Sequence, residues 1–337
     1  AKTYILLAVI LVAGLLLRLG GDTLQRDLWY DEIQSVTFAY NNPVDVAIKT
    51  LRLDVHPPLY YLQLSAWMSI STNDFFLMTN SIFWSLLTVV ALFVSGRNLF
   101  GTRVGLMAAT VFALSELAVS YGQNVRMYAL LMFLAVLAFH FTEKFIRFGG
   151  RALFGAFAAS LLLAYTHGAS FVALASFFAY GALRFYHRVR RGDSPKGDAL
   201  RWLLMQVVLG FSLVPWLFLA IRHYGAHLVI PGAEEIVRTF AALFVGPQIS
   251  VWINIIALAV ASALMVAAAM HRFEFRVGGI AFLIVPAIVV YIVSVVIKPL
   301  WNIRSFLFTL PILCLILAGG LDYLFKLAKE LGIFNRV

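Results

Sequence analysis

The chain has 337 residues, 62% of them hydrophobic and only 12% charged, with a mean hydropathy of +0.90. Soluble domains run at about 45–50% apolar and about 25% charged, which excludes a soluble globular protein and leaves an all-α, polytopic membrane protein. The net charge of +10 does not imply a nucleic-acid partner, because most basic residues fall in short loops between apolar runs, as membrane topology requires.

A spanning helix needs roughly 17–25 mostly apolar residues. The first run, 4–19, has signal-peptide length, but no small-residue cleavage site follows and more spans do, so it reads as an uncleaved first helix. Further spans are expected over 75–94, 104–121, 127–141, 152–165 and 169–186, then 199–221, 249–270, 278–297 and 303–324. That makes about ten transmembrane helices. Residues 57–71 are apolar but too short to cross, and suit an interfacial helix. Charge supports that reading. If 57–71 stays on one side, both termini are cytoplasmic and the inner loops hold Arg97, Arg103, Lys144, Arg147, Arg184, Arg188, Arg190, Arg191 and Arg272. If it crossed, the basic loop 184–201 would face outward, against the positive-inside rule. Two outer loops are then long. The first, 20–74, carries amphipathic stretches at 32–40 and 44–53; the second, 222–248, carries one at 233–244. Loops of this length are usually functional unless disordered, and these are too aromatic to be disordered. The whole of 1–337 reads as one transmembrane unit, with a motif-bearing part over 1–190 and C-terminal helices over 199–337. Residues 191–198 form the one linker-like stretch. The lone cysteine, Cys314, lies in an apolar run, so neither a disulfide framework nor a cysteine metal cluster is expected.

The outer face collects the residues that can do chemistry. Asp31 and Glu32 follow Leu28-Trp29-Tyr30, aromatics that can fix their depth at the interface. A carboxylate there can act as a general base, or Asp31 can simply cap the next helix. Asp54-Val55-His56-Pro57-Pro58 places His56 beside a helix N-terminus, whose free N–H groups favour an anion; a plain turn is the alternative. Arg126 opens a span at the next outer loop, and Arg304 occupies the outer end of the last one. Each offers a planar fork suited to phosphate, or snorkels to headgroups. His167, in Tyr165-Thr166-His167-Gly168, is a ligand candidate or a hydrogen-bonded helix end. Glu116 lies within an apolar span and is either part of the site or a structural partner of an arginine such as Arg126. His140 and His271 fall at inner helix ends and are given no role. Each residue alone is a weak signal, but their convergence from separate segments on one face is harder to explain by capping or snorkelling.

In order along the chain, Leu28-Trp29-Tyr30-Asp31-Glu32, Asp54-Val55-His56-Pro57-Pro58-Leu59-Tyr60-Tyr61, Gly96-Arg97-Asn98-Leu99-Phe100-Gly101, Ser120-Tyr121-Gly122-Gln123-Asn124-Val125-Arg126-Met127-Tyr128 and Tyr165-Thr166-His167 form a set. The set resembles that of the GT-C membrane glycosyltransferases, in the branch of protein O-mannosyltransferases and lipid A aminoarabinose transferases. The likeness covers about residues 4–187, and 304–311 resembles a late Arg-Tyr-x-x-Pro motif. It implies an inverting transferase at the extracytoplasmic face of the cell membrane, moving a sugar from a polyprenyl-phosphate donor to a hydroxyl on a protein, lipid or glycan. Asp31 would be the catalytic base with Glu32 beside it. Asp54, His56, Arg126, Tyr128, His167 and Arg304 would bind the donor phosphate or substrate, with no resident cofactor. The sequence departs from the family at Ser115-Glu116, where Ser-Pro is common, at Asn124-Val125 in place of Glu-Ala, and at Ser305 in place of tyrosine. It also shows no soluble C-terminal domain of the kind many relatives carry. Two rival expectations are a lipid-linked sugar flippase on the same scaffold, and a metal-dependent transferase using Asp31, His56 and His167.

Overall fold

The computed structural model describes residues 1–21, 26–222, 230–246, 251–297 and 299–332, and every regular element among them is helical. Helix α1 (Lys2–Leu19) is largely apolar; Gly14 and Arg18 are buried, Leu7, Ile10 and Leu11 pack against the core, and the opposite side is exposed. Three short helices follow where the amphipathic stretches were expected: α2 (Tyr30–Ala39), α3 (Pro43–Leu53) and α4 (Leu59–Met68). Asn42 starts α3, its side-chain oxygen accepting from Val44 N at 3.1 Å and Asp45 N at 3.0 Å, with Pro43 in the first turn. Part of the second expected outer loop lies outside the described residues, but its amphipathic piece forms a helix over Ala233–Val245.

Helix α5 (Asp74–Leu99) crosses unbroken, whereas the single span expected over 104–121 divides into α6 (Thr102–Leu114) and α7 (Glu116–Gln123), bent by 61°. The cause is local. Ser115 takes an extended conformation and caps α7, its Oγ accepting from Ala118 N at 3.4 Å. An unbroken helix would bond the Ala113 carbonyl internally; here it is met by Arg18, a fully buried residue that the sequence did not single out. Arg18 donates to Ala113 O at 3.1 Å, Ala118 O at 3.3 Å, Gly14 O at 2.9 Å and Ser85 Oγ at 2.8 Å, which staples α1 and α5 to the break.

The remaining helices are α8 (Tyr128–Phe148), α9 (Ala152–Ala164), α10 (Ser170–Arg190), α11 (Lys196–Arg222), α12 (Ala233–Val245), α13 (Val251–His271), α14 (Phe273–Gly279), α15 (Val285–Val296) and α16 (Leu310–Glu330). A π-helical turn (Ile280–Ile284) joins α14 to α15, and a 3₁₀ turn (Ile303–Thr309) leads into α16. Among the described residues, seven helical segments are long and apolar enough to cross a bilayer, or eight if the bent α6–α7 pair is one span. The chain is an integral membrane protein. Of the about ten spans expected, α9 falls short at 13 residues, and α10 is diluted by Arg184, His187, Arg188 and Arg190. The core lies along α5, α8 and α16, with α8 packed on α5 and α9, and α16 on α6 and α13. Gly96 lets α5 meet α6 backbone to backbone, since a Cβ there would come within 2.5 Å of Gly105 Cα.

Polar contacts define two ends of this bundle. At one end, buried Glu143 accepts from Arg147 Nε at 2.5 Å, Arg184 Nη2 at 2.7 Å and Tyr180 Oη at 2.7 Å. Arg147 also reaches Leu99 O at 2.9 Å, and Arg188 reaches Ile146 O at 2.6 Å, so the C-terminal ends of α5, α8 and α10 are clamped together. These are the basic residues expected in inner loops. The residues expected on the outer face gather at the opposite end of α8, whose 21 residues span about 30 Å.

Replacing Arg18 with Leu would strand the Ala113 carbonyl at the α6–α7 break. Unfolding of the detergent-purified protein should show a loss of about 1–3 kcal/mol, with Arg18→Lys recovering part of it; an unchanged melting temperature would refute the staple.

Candidate active site

Five segments meet at this end: residues 26–32 entering α2, the α3–α4 turn, the α7–α8 loop, the α9–α10 loop and the 3₁₀ turn before α16. Glu32 is fully buried and both of its oxygens are engaged. Oε1 accepts from Arg26 Nη2 at 2.7 Å and Val125 N at 2.8 Å; Oε2 accepts from Arg26 Nη1 at 2.6 Å and Trp29 N at 3.1 Å. The Trp29 contact is half of a capping box that begins α2. The Val125 contact ties α2 to the α7–α8 loop. Hydrogen bonding to Glu32 raises the Arg26 guanidinium above its ordinary value, against the effect of its partial burial. A carboxylate with four donors around it holds the fold together and has no lone pair left for a substrate.

Asp31, one residue earlier, turns the other way. Its side chain is 23% exposed and its Oδ2 accepts from Arg304 Nη1 at 3.0 Å. The Asp31 backbone carbonyl accepts from Arg126 Nη1 at 3.0 Å, and the same nitrogen reaches Ser35 Oγ at 3.0 Å. Arg126 is only 4% exposed, so it grips the first turns of α2 from below while Arg304 approaches the carboxylate from the open side. The Arg304 guanidinium sits 5.4 Å from the Trp29 ring centre and 5.9 Å from that of Tyr128, within cation–π range of both. Its backbone is fixed by neighbours. Asn302 Oδ1 accepts from Ser305 N at 3.3 Å, Ser305 Oγ donates to Leu300 O at 2.8 Å, and Trp301 Nε1 donates to Thr239 Oγ1 of α12 at 3.0 Å.

A second group lies alongside. Asp54 ends α3; its Oδ1 accepts from Val55 N at 2.6 Å and His56 N at 3.3 Å, and its Oδ2 from the Tyr61 hydroxyl. Burial, reinforced by Asp54, pushes the Tyr61 hydroxyl well above its ordinary value, so it stays a donor. His56 Nδ1 accepts from Gly168 N at 3.1 Å, and His167 Nδ1 accepts from Ala169 N at 3.0 Å. An imidazole that accepts at Nδ1 carries its proton on Nε2, so both rings present Nε2–H donors. Their centres are 4.8 Å apart. Only glycine fits between them at 168, because a Cβ there would stand 2.8 Å from Val55 O and 3.3 Å from His56 Nδ1. Tyr128 joins the two groups, its ring 5.7 Å from His167 on one side and near Arg304 on the other.

The structure therefore brings Asp31, Glu32, Asp54, His56, Arg126, Tyr128, His167 and Arg304 to one end of the bundle. Glu116 behaves otherwise. Arg126 pairs with α2 and not with Glu116, because the bend at Ser115 swings Glu116 out against Gly246 at the end of α12. There Glu116 lines a cavity of about 260 Å³ with Leu243, Leu310, Leu313 and Cys314. Among the described residues no three His, Cys, Asp or Glu side chains are placed to hold a metal ion together. Arg26, Ser35, Tyr61 and Gly168 were missed from sequence. The Ser35 position four residues after Asp31, on the same helix face, was the one usable signal; Arg26 and Tyr61 reach their partners only through tertiary contacts.

The helical architecture, with a surface layer of short helices over the bundle end and its charged cluster beneath, is the GT-C fold. Among solved structures, the chain is similar to ArnT from Cupriavidus metallidurans in the apo state, a lipid A aminoarabinose transferase, with a TM-score of 0.65 and 16% identity over 95% of this chain and 59% of that one. It is also similar to the oligosaccharyltransferase of Archaeoglobus fulgidus in complex with zinc and sulfate, with a TM-score of 0.54 and 14% identity over 97% of this chain and 50% of that one. The chain thus spans between half and three-fifths of the length of the proteins it matches. Compared by sequence, it matches no family model and no curated protein.

Two neighbouring carboxylates should respond differently to truncation. Glu32→Ala leaves Arg26 and two backbone N–H groups without their partner and should cost about 3 kcal/mol of stability. Asp31→Ala loses only a partly exposed pair and should cost about 0–1 kcal/mol. Thermal unfolding in detergent distinguishes them, and equal losses would contradict the division of roles.

Proposed function

We propose that this protein is an inverting glycosyltransferase that moves a sugar from a polyprenyl-phosphate donor to a hydroxyl acceptor at the extracytoplasmic membrane face. The observation that carries this reading is the partly exposed Asp31–Arg304 pair, set beside two imidazole donors at one end of a GT-C bundle. Asp31 supplies a carboxylate of the right kind to take a proton. Arg304 supplies a planar cation for a phosphate, and His56 and His167 supply imidazole groups for the remaining phosphate or sugar oxygens.

In this mechanism the acceptor hydroxyl gives its proton to Asp31 as its oxygen bonds to the anomeric carbon, while the bond from that carbon to the phosphate oxygen breaks. The electron pair leaves on the polyprenyl phosphate, where Arg304 and the two histidines stabilise the developing charge. One displacement with one carboxylate gives inversion. Arg126 and Glu32 act as positioning residues: they hold the backbone and first turn from which Asp31 projects. Asp54 holds the His56 turn. Tyr128 lies between the acid–base and imidazole groups as a wall of the substrate site. The reading invokes no resident metal and no nucleic-acid partner. A lipid-sugar flippase on the same scaffold has less support, because the charges at the far end of α8 are locked in the Glu143 clamp and do not line a path.

Purified protein in lipid nanodiscs, offered a panel of polyprenyl-phosphate sugars and acceptors, should form a glycoside detectable by mass analysis. Asp31→Asn should lower turnover by at least about 10²-fold while the protein still binds polyprenyl phosphate. Full activity in that variant would remove Asp31 as the base, and lipid-sugar translocation without transfer would favour the flippase.

A further inference from the structure

The candidate base is held at one of its two oxygens. Oδ2 of Asp31 is held by Arg304, while Oδ1 has no hydrogen bond among the described residues. The two partners are anchored unequally. Asp31 cannot withdraw, because Arg126 holds its carbonyl and buried Glu32 holds the turn it stands on. Arg304 is the looser member. Its side chain is 39% exposed, it projects from a 3₁₀ turn, and it lies between the faces of Trp29 and Tyr128, which can follow a pivoting guanidinium without losing contact. The other charged or titratable groups around the pair are Arg126, Tyr128, the Glu32–Arg26 pair and Tyr121, whose hydroxyl is a further side-chain hydrogen-bond partner of Arg304; Arg126, Glu32 and Arg26 are already committed to fixed partners. An ion pair this open to solvent holds weakly. A phosphate group, with more acceptor oxygens and more charge than one carboxylate oxygen, competes well for the same fork.

We propose that Arg304 is a donor-operated latch on Asp31: without donor it masks the carboxylate, and on donor binding it moves to the phosphate and releases Asp31 for the acceptor hydroxyl. This rests on the donor reading above and adds an order to it. Donor binds first and creates the acceptor site, so no general base is exposed while the site holds no sugar to transfer. One arginine is then used twice, as a mask in the resting protein and as a phosphate contact in the loaded one.

Carboxylate footprinting tests the latch without knowing the sugar or the acceptor. Full-length protein in nanodiscs is treated with a carbodiimide and an amine, with and without polyprenyl monophosphate, and modification is mapped by peptide mass analysis. Retention of radiolabelled lipid is measured in parallel. Asp31 labelling should rise by about fivefold on adding the lipid, the scale expected for release from an open ion pair. In Arg304→Gln it should be high from the outset and insensitive to lipid, and Arg304→Lys should restore partial masking. Glu32 should stay unlabelled throughout if each variant is folded. Lipid that binds yet leaves Asp31 labelling unchanged or lowers it would overturn the latch, as would slow labelling in folded Arg304→Gln. Lipid that is not retained by the wild-type protein would overturn the donor reading and the latch together, an outcome separated from the others by the binding measurement.

Discussion

Burial of the Glu32 carboxylate is the constraint on which the arrangement of the site depends. A charge placed in a protein interior at a membrane boundary is tolerated only when its oxygens are bonded and its charge is matched. Glu32 meets that condition with one bidentate arginine and two backbone N–H groups drawn from separate segments. Once that is met, the first turn of α2 cannot rotate or slide relative to the α7–α8 loop. Asp31 is consequently directed into the open space in front of Arg304. Two adjacent acidic residues, identical in local signal, thereby take opposite parts: one is wholly consumed by the fold, and the other is left available.

The same economy recurs at other charged positions. Arg18 and Arg126 are buried and donate to carbonyls and hydroxyls, so neither offers a cation to solvent. Glu143 and Glu274 together neutralise Arg147 and Arg184 at the far end of the bundle. Arg304 alone of these arginines is both partly exposed and set beside the candidate base. The broken α6–α7 span matters for a related reason. A straight helix would carry the α7–α8 loop elsewhere, and the Val125 N–H and Arg126 side chain would not reach α2. Arg18 offsets the break by meeting the Ala113 carbonyl it frees.

Much of this was legible in the chain. Hydropathy located most of the apolar helices because a bilayer demands long apolar runs, but among the described residues it overcounted those long and apolar enough to cross. The amphipathic stretches and the Pro57-Pro58 pair marked the surface helices because those patterns act locally. Hidden were the bend at Ser115, since one cap residue in an apolar run reads as a continuous span. Hidden too was the place of Glu116, expected beside Arg126 and found against Gly246. Both depend on which helices pack together, and periodicity carries no information about that.

By itself the sequence determined that the chain lives in a membrane, that its basic loops and its motif residues fall at opposite ends of the spans, and that three carboxylates, two histidines and two arginines share one end. These follow from desolvation costs and from the periodicity of helices, which act on short stretches of chain. Only the tertiary structure decided which carboxylate is buried and which is open, which arginine braces and which faces the site, and on which ring nitrogen each histidine carries its proton. Those outcomes turn on contacts between residues as far apart as Asp31 and Arg304, and a hydrogen bond of 3.0 Å between them exists only once the whole bundle has closed.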